Sequence, residues 1–209
     1  MRYGMVIDTK KCVGCADCVV ACQTENNVPI GYSRDWIMEF VDGEFPKLSL
    51  HFETQRCNHC DDTPCVRTCP TGSSHVIEGG IVKVTASECI GCGACIESCP
   101  YDARFFHPDG YVDKCTFCDH RVKGGQDPAC VSVCPTKCMY FGDFDDKKSE
   151  VSLLLKKRDN DGTAISNRQT YTRFISSRSH LGISDFRIFI FRRFSCRNIN
   201  IRYIVLSNG

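Results

Sequence analysis

Cys89-Ile-Gly-Cys-Gly-Ala-Cys-Ile-Glu-Ser-Cys-Pro100 is the stretch of sequence that decides the fold. Its cysteines follow the spacing C-x2-C-x2-C-x3-C-P, which is typical of segments that bind a [4Fe–4S] cluster. Two-residue gaps let the backbone wrap around one cubane, and we expect Gly91 and Gly93 to remove side chains where the chain passes closest to it. The fourth cysteine of such a run binds a neighbouring cluster. The run therefore predicts at least one further cysteine group.

Three more cysteine groups are present in the sequence. The first, in residues 12–22, is a regular C-x2-C-x2-C-x3-C run. The second, in residues 57–69, has a middle gap of four residues and ends in Cys-Pro. The last, in residues 115–134, also ends in Cys-Pro but contains an eleven-residue gap, which we expect to form a surface turn. The repeat is therefore fourfold in cysteine groups and twofold in ferredoxin units.

The exchange of the fourth cysteine between paired runs assigns sixteen cysteines to four [4Fe–4S] clusters. Groups two and three form one ferredoxin, which is inserted into a second one formed by groups one and four. The predicted ligand sets are Cys12, Cys15, Cys18 and Cys134; Cys115, Cys118, Cys130 and Cys22; Cys57, Cys60, Cys65 and Cys99; and Cys89, Cys92, Cys95 and Cys69. Two cysteines remain. Cys138 could replace Cys134, but we interpret it as a buried free thiol, and Cys196 lies in the tail.

The composition limits the classes of protein that fit. There are 209 residues, which suggests one or two domains, and 18 cysteines, so we expect the clusters to act as the core. The formal net charge is +1. Because an oxidised cluster with four thiolates carries about −2, the loaded protein would carry about −7, and nucleic-acid binding is a poor interpretation. The first cysteine follows so soon after Met1 that we expect no signal peptide, and no apolar run is long enough to predict a membrane span.

An α+β fold is expected, with short helices and β-hairpins around four clusters. We predict a strand at residues 3–8, a hairpin within 28–56 in which Trp36 is a packing residue, a strand at 80–85 that completes a hairpin inside the inner unit, and a turn plus a strand in 101–114. The predicted domains are an outer ferredoxin-like unit, 1–56 and 101–158, with an insertion at 23–56; an inner unit, 57–100; and an atypical tail, 159–209.

The sequence resembles the iron–sulfur electron-transfer subunits (B subunits) of molybdopterin oxidoreductases, in the branch of the polysulfide, thiosulfate, tetrathionate and arsenate reductases and the nitrite reductase accessory protein. The resemblance covers residues 1 to about 158. It is carried by Met5-Val-Ile-Asp-Thr-Lys-Lys-Cys-Val-Gly-Cys, Ala21-Cys-Gln-Thr-Glu-Asn-Asn-Val-Pro, Cys57-Asn-His-Cys, Cys99-Pro-Tyr-Asp-Ala-Arg, Lys114-Cys-Thr-Phe-Cys-Asp-His-Arg and Gly142-Asp-Phe-Asp-Asp.

This resemblance implies a non-catalytic electron-transfer subunit. Its partners would be a molybdopterin catalytic subunit and an integral-membrane subunit that handles quinone, with no nucleic acid and no span of its own. It would lie at the cytoplasmic membrane, on the periplasmic face if it is exported with its catalytic partner, with the cytoplasmic face as the alternative. Residues beside the ligands are candidates for tuning the cluster potentials, although we favour a solvent-exposed role for them: Lys114, His59, Arg67 and His120.

Two further functions compete with this one. A stand-alone polyferredoxin would have the same cysteine groups but less use for the long insertion at 23–56. A zinc-rich structural or nucleic-acid module would give a colourless protein, whereas a cluster protein is brown. Neither zinc knuckles nor a secreted disulfide framework explains the spacing of the four groups.

The tail departs from the resemblance. Residues 159–209 contain eight Arg and three Asp but no Lys or Glu, whereas residues 1–158 have a net charge of −4. The tail could be a basic arm, or it could add strands at Ile188-Phe-Ile-Phe and Tyr203-Ile-Val-Leu. We favour a third hypothesis, an out-of-frame ending, because the composition changes where the resemblance stops.

Overall fold

The computed structural model describes the backbone of residues 1–161 and 165–166 and the side-chain surroundings of residues 1–156. Its small helices and strands agree with the expected α+β class. The strands are β1 (Tyr3–Asp8), β2 (Asp35–Glu44), β3 (Lys47–Arg56), β4 (Ser74–Ile77), β5 (Ile81–Val84), β6 (Phe105–Phe106), β7 (Val112–Asp113), β8 (Met139–Asp143) and β9 (Ile165–Ser166). The helices are α1 (Asp17–Glu25), α2 (Pro64–Arg67), α3 (Ala94–Glu97), α4 (Asp119–Lys123), α5 (Ala129–Val133) and α6 (Glu150–Asp161), with single 3-10 turns at 78–80 and 86–88.

Strand β1 joins the first part of the sequence to the last part described. It lies between β8 and β9 in a three-stranded antiparallel sheet, and Tyr3 is opposite Asp143 in the register with β8. Four of its six residues are buried, as a central strand requires. Helix α6 packs on this sheet, where Val6 and Val151 are both almost fully buried. The pairing brings cysteine groups one and four together although they are about a hundred residues apart.

The predicted hairpins are present. Strands β2 and β3 pair over their full length, from Asp35 opposite Arg56 to Glu44 opposite Lys47. Strands β4 and β5 form the hairpin predicted between cysteine groups two and three. The predicted turn and strand in 101–114 are in fact a small hairpin, because β7 pairs with β6. Trp36 is half-buried against the core, as expected for a packing residue.

The two ends of the β2–β3 hairpin have different surroundings. At its base Asp35, Thr54 and Arg56 are buried, and these residues lie close to cysteines of groups one and four. At its tip Phe45 and Leu48 are exposed. The base therefore belongs to the interior, while the tip extends beyond it.

Left-handed backbone conformations precede several of the helices in the cysteine groups. Ala16 before α1, Gly93 before α3 and Cys118 before α4 all have positive φ. Gly91 and Gly93 each pack closely against another part of the protein, and their expected approach to a cluster stays a prediction. A Cβ on Gly91 would lie 2.8 Å from the carbonyl oxygen of Gly110, and one on Gly93 would lie 2.9 Å from the ring of Phe106. Both glycines thus allow close packing of the chain on itself, with the φ > 0 that glycine adopts without cost.

The expected surface turn in the eleven-residue gap of the last group is wrong in part. Residues 119–123 form helix α4, and only the segment after it, at Gly124 and Gly125, turns at the surface. The glycines of the gap, which indicate a turn, can be recognised in the sequence, but helix α4 cannot. The helix is fixed instead by tertiary contacts, because Asp119 is buried and forms an ion pair with Lys83 of β5 at 2.9 Å.

Cysteine supplies much of the buried core. The largest cluster of buried apolar residues includes six cysteines, and a second cluster consists of Cys65, Cys95, Val82 and Val112. The interior is therefore built around sulfur, which agrees with the expectation that the conventional apolar core is small.

The interpretations of residues 159–209 concern positions that fall almost entirely outside the described residues, and Cys196 is among them. Within the described part of the molecule, no helix is both long enough and apolar enough to cross a bilayer.

The contact between α6 and β1 gives a first prediction. Val151→Ala removes two buried methyl groups, so we expect the free energy of unfolding to fall by roughly 1–3 kcal/mol. The thermal midpoint, measured by circular dichroism under anaerobic conditions, should then be lower by about 3–10 °C. Leu153→Ala, in the same helix but 52% exposed, is the matched control and should leave the midpoint nearly unchanged. Equal shifts in the two variants would contradict this account of the packing.

Candidate iron–sulfur sites

The fold groups sixteen cysteines into four quartets, which we number as sites. Cavities or mutual electrostatic contacts define each quartet. Site 1 contains Cys12, Cys15, Cys18 and Cys134; site 2 contains Cys22, Cys115, Cys118 and Cys130; site 3 contains Cys57, Cys60, Cys65 and Cys99; site 4 contains Cys69, Cys89, Cys92 and Cys95. The same sets follow from the spacing of the sequence. That clusters are bound by these sets stays a prediction.

Sites 1, 2 and 4 line spaces that open to solvent. The space at site 2 is about 280 Å3 and is lined also by Arg34, Asp35 and Arg56. The spaces at sites 1 and 4 are about 300 Å3 each. In site 3 the thiols are near enough for their charges to interact, because burial and then the thiolates of Cys57, Cys65 and Cys99 raise the pKa of Cys60 to about 11.

The residues around the cavities fit an iron–sulfur cluster better than a single ion. Within residues 1–156, no three His, Cys, Asp or Glu side chains converge closely enough to hold one metal ion. Buried donors also lack a hydrogen-bond partner in the protein, namely Nε and Nη1 of Arg104 and Nε of Arg56. Such donors suit the sulfur atoms of a cluster.

Some of the buried thiols are held where their own ionisation is costly. Burial and the nearby thiolates raise the pKa of Cys115 to about 12 and that of Cys130 to about 11, although Arg56 acts in the opposite direction. Only the thiolate binds metal, so iron must displace protons from these sites. At these two positions the protein thus provides neutral sulfur, which would become charged when metal binds.

Backbone amides stabilise two of the cysteines that close their sites. The amide of Ser74 donates to Sγ of Cys69 at 3.4 Å, and the amide of Cys138 donates to Sγ of Cys134 at the same distance. Although burial alone would raise them, these bonds hold the pKa values of Cys69 and Cys134 below the usual range. Hydrogen bonds to ligand sulfur are one of the factors that set cluster potentials.

The amide side chain of Asn26 lies at the end of α1 beside site 2. Its Nδ2 atom is 3.6 Å from Sγ of Cys22 and 3.7 Å from Sγ of Cys118, and its Oδ1 atom accepts a bond from Arg34. Arg34 is held in turn by two bonds of 2.8 Å to Asp113. This network fixes hydrogen-bond donors around site 2. No local pattern in the sequence predicts it.

Electrostatic interactions between cysteines of different sites indicate which sites are neighbours. The charge of Cys18 in site 1 acts on Cys130 in site 2. The charge of Cys57 in site 3 acts on Cys115 in site 2. Cys95 of site 4 interacts with Cys65 of site 3. Neighbouring thiols thus connect the four quartets in the order 1, 2, 3, 4.

The four candidate tuning residues divide into two pairs. Arg67 and His120 are exposed and pair with carboxylates, as the solvent-exposed interpretation expects. For Lys114 and His59 that interpretation is wrong, because both are almost fully buried. Burial lowers the pKa of Lys114, and the charges of Cys57 and Cys115 act in the opposite direction. The ammonium of Lys114 donates to the carbonyl oxygens of Cys115 and Val82.

His59 is not placed as a metal ligand. Its Nδ1 atom accepts a hydrogen bond of 2.9 Å from the amide of Val82, and its ring stacks on Phe117 with the centroids 3.8 Å apart. An Nδ1 atom that accepts a hydrogen bond is unprotonated, so the ring is the neutral tautomer with its proton on Nε2. The side chain connects the second cysteine group to β5 and to the last group.

Cys138 is buried, as expected, and forms no disulfide bond. It lines the cavity of site 1, and its Sγ atom lies 3.4 Å from that of Cys134. Burial and the neighbouring Cys134 raise its pKa to about 12. Because its hydrogen bonds lower the pKa of Cys134 while the pKa of Cys138 is raised, Cys134 is the better ligand of the two.

Comparisons with known proteins agree with this chemistry. Two family models, each described as a 4Fe-4S dicluster domain, match residues 48–144 and 11–74. Protein NrfC of Escherichia coli strain K12 is 46% identical over 162 residues, which are 76% of this sequence and 73% of that protein. Thiosulfate reductase electron transfer subunit PhsB of Salmonella typhi is 45% identical over 70% of this sequence and 79% of its own length. The B subunit of polysulfide reductase from Wolinella succinogenes is 43% identical over 75% of this sequence and 84% of its own length.

The fold and the thiol quartets define an iron–sulfur protein of the dicluster ferredoxin class. The identity with these relatives is more specific. This protein belongs to the B-subunit family, the iron–sulfur electron-transfer subunits of reductase complexes.

Removal of iron is expected to unfold the protein, because the interior is built around sulfur and metal binding is coupled to folding in such domains. Anaerobic holo-protein treated with a chelator should lose its near-ultraviolet circular dichroism and its cooperative thermal transition. The same sample supplied again with iron and sulfide should recover both. An iron-free protein that melts cooperatively at the midpoint of the holo-protein would contradict this expectation.

Substitution of two cysteines by serine separates a predicted ligand from a predicted free thiol. Cys92→Ser is expected to remove or convert one cluster, because an oxygen ligand replaces a thiolate. Cys138→Ser, an equivalent change at a buried thiol beside site 1, should leave the iron content and the electron paramagnetic resonance (EPR) spectra as they are. The assignment fails if Cys92→Ser retains every cluster unchanged, or if Cys138→Ser loses one.

Proposed function

We propose that this protein carries four [4Fe–4S] clusters, one in each site, and relays electrons between a membrane subunit that handles quinone or quinol and a molybdopterin catalytic subunit of the polysulfide or thiosulfate reductase type. The observation that supports the proposal is the order of the four thiol quartets, in which the charges of cysteines in each quartet act on cysteines in the next. A connected row suits transfer from one end of the subunit to the other.

The proposed domains follow from the same arrangement. The outer unit, 1–56 and 101–158, contributes every cysteine of sites 1 and 2, and the inner unit, 57–100, contributes every cysteine of sites 3 and 4. The antiparallel pairing of β1 with β8 supports an outer unit made of both ends of this region. The insertion, 23–56, contains the β2–β3 hairpin.

Bound clusters would supply the one-electron redox centres of the relay. The protein itself holds the thiol quartets next to one another, keeps several of their cysteines buried and directs donors at the sulfur atoms. No described residue is proposed to act on a terminal substrate. The bond chemistry belongs to the catalytic partner.

A stand-alone polyferredoxin is the second candidate function. The exposed apolar side chains at the tip of the β2–β3 hairpin favour a docked subunit over a free carrier, because large exposed apolar residues mark interaction surfaces when they are grouped. They are Val41, Phe45, Leu48 and Leu50. A position at the periplasmic face of the cytoplasmic membrane is part of the proposal, with the cytoplasmic face as the alternative.

Purification of the native complex under anaerobic conditions tests this function. We expect the protein to copurify with a large molybdopterin protein and a membrane protein, and to contain about sixteen irons and sixteen sulfides. Titration with a quinol analogue should reduce the clusters only while the membrane subunit is present. A subunit that purifies alone with all its iron would support the free carrier, and a colourless one that contains zinc would overturn both functions.

A further inference from the structure

Three buried cations lie between successive sites. The first is Arg104, at the junction of sites 3 and 4. Its Nη2 atom donates to Sγ of Cys65 in site 3 at 2.8 Å and to Oγ of Ser74 at 2.9 Å. Its charge also acts on Cys95 of site 4. One guanidinium therefore faces a thiol of each neighbouring site.

The second cation is Lys114, at the junction of sites 2 and 3. It precedes Cys115 of site 2 in the sequence, and its ammonium donates to the carbonyl oxygen of that residue at 2.6 Å. Its ammonium also donates to the carbonyl oxygen of Val82, which lies in the same buried cluster as Cys65 of site 3, and its charge acts on Cys57 and Cys65. With 1% of its surface exposed, it is among the most buried side chains described.

The third cation is Arg56, at the junction of sites 1 and 2. Its Nη1 atom donates to Sγ of Cys130 in site 2 at 3.2 Å. Its Nη2 atom bonds to Oγ1 of Thr54, which lies 3.7 Å from Sγ of Cys18 in site 1. The charge of Arg56 acts on Cys18 as well. The row thus alternates between thiol quartets and single cations.

The charges around these cations are unequal. Arg56 has a carboxylate nearby, since Oδ2 of Asp35 lies 3.8 Å from it. The ion pairs formed among the described residues include neither Arg104 nor Lys114. Site 3 therefore lies between two cations that have no acidic partner there. Cations this deeply buried need compensating negative charge, and thiolate-bound clusters on both sides would supply it.

We propose that Arg104, Lys114 and Arg56 tune electron transfer through their charge. Each of them raises the reduction potentials of the two clusters that flank it. The proposal rests on the proposed four-cluster function. Reduction adds negative charge to a buried group, and a nearby cation stabilises that charge. Since each cation is shared by two sites, it acts on neighbouring potentials together, and site 3 depends on two cations at once.

The test uses redox titration of the holo-protein, followed by EPR, in the variants Arg104→Gln, Lys114→Met and Arg56→Gln. Each is expected to lower two of the four midpoint potentials by about 59 mV or more, a tenfold change in the ratio of oxidised to reduced cluster. Arg67→Gln is the matched control, because Arg67 is an exposed arginine in α2, only two residues before Cys69 of site 4. It should move no midpoint to that extent.

The pattern of shifts identifies the junctions without a prior assignment of the signals. Arg104→Gln and Lys114→Met should share one affected cluster, that of site 3. Lys114→Met and Arg56→Gln should share another, that of site 2. Arg104→Gln and Arg56→Gln should share none. Shifts of all four midpoints together, of one alone, or of none beyond the control would overturn the proposal.

Charge-retaining variants cover the case in which a neutral variant does not assemble. Arg104→Lys and Lys114→Arg keep the charge but change the shape, so they should retain their iron and nearly the original potentials. Loss of iron in these variants as well would show that only packing matters, and the proposal would fail. The iron content of the wild-type protein distinguishes a failure of the proposed function from a failure of this inference. Far fewer than about sixteen irons would remove the proposed function, whereas a full count without the overlapping shifts would remove this inference alone.

Discussion

Buried sulfur is the constraint on which the rest of the structure depends. A core in which thiols replace aliphatic side chains has little apolar surface to bury, and its sulfur atoms resist ionisation, as the raised pKa values of Cys115 and Cys130 indicate. The fold compensates with positive charge and with donors. Arginines, a buried lysine and backbone amides are all directed at the cysteines, so the polar groups of this interior are arranged around the thiols.

The grouping of the cysteines could be predicted from the sequence because the rule that governs it is mostly local. Two-residue gaps bring three thiols together, and the exchange of the fourth is a regular feature of paired runs. Strand β1 and the β2–β3 and β4–β5 hairpins were predictable because they are continuous and begin or end near turn residues. The register of each pair of strands could not be predicted, because the alternation of apolar and polar residues does not specify which residues lie opposite each other.

The buried polar side chains around the sites could not be found in the same way. Lys114 and His59 stand beside cysteines, and adjacency to a ligand does not distinguish a side chain that enters the interior from one that faces water. Arg34 and Asp113 form their pair across 79 residues, so no window of sequence contains both. Arg104 ends the phrase that begins at Cys99, which in the sequence marks only the resemblance, and its contact with Cys65 is visible only in three dimensions.

The pairing of β1 with β8 has a consequence for the order in which the protein can mature. A ribosome releases groups two and three in one continuous segment, so the thiols of sites 3 and 4 are available together early in synthesis. Sites 1 and 2 must wait, because Cys134 and Cys130 emerge more than a hundred residues after Cys12 and Cys22. The thiols of groups one and four in the outer unit therefore stay without their partners until the segment up to β8 has been synthesised. During that time this part of the subunit most needs protection from oxygen and from other metal ions.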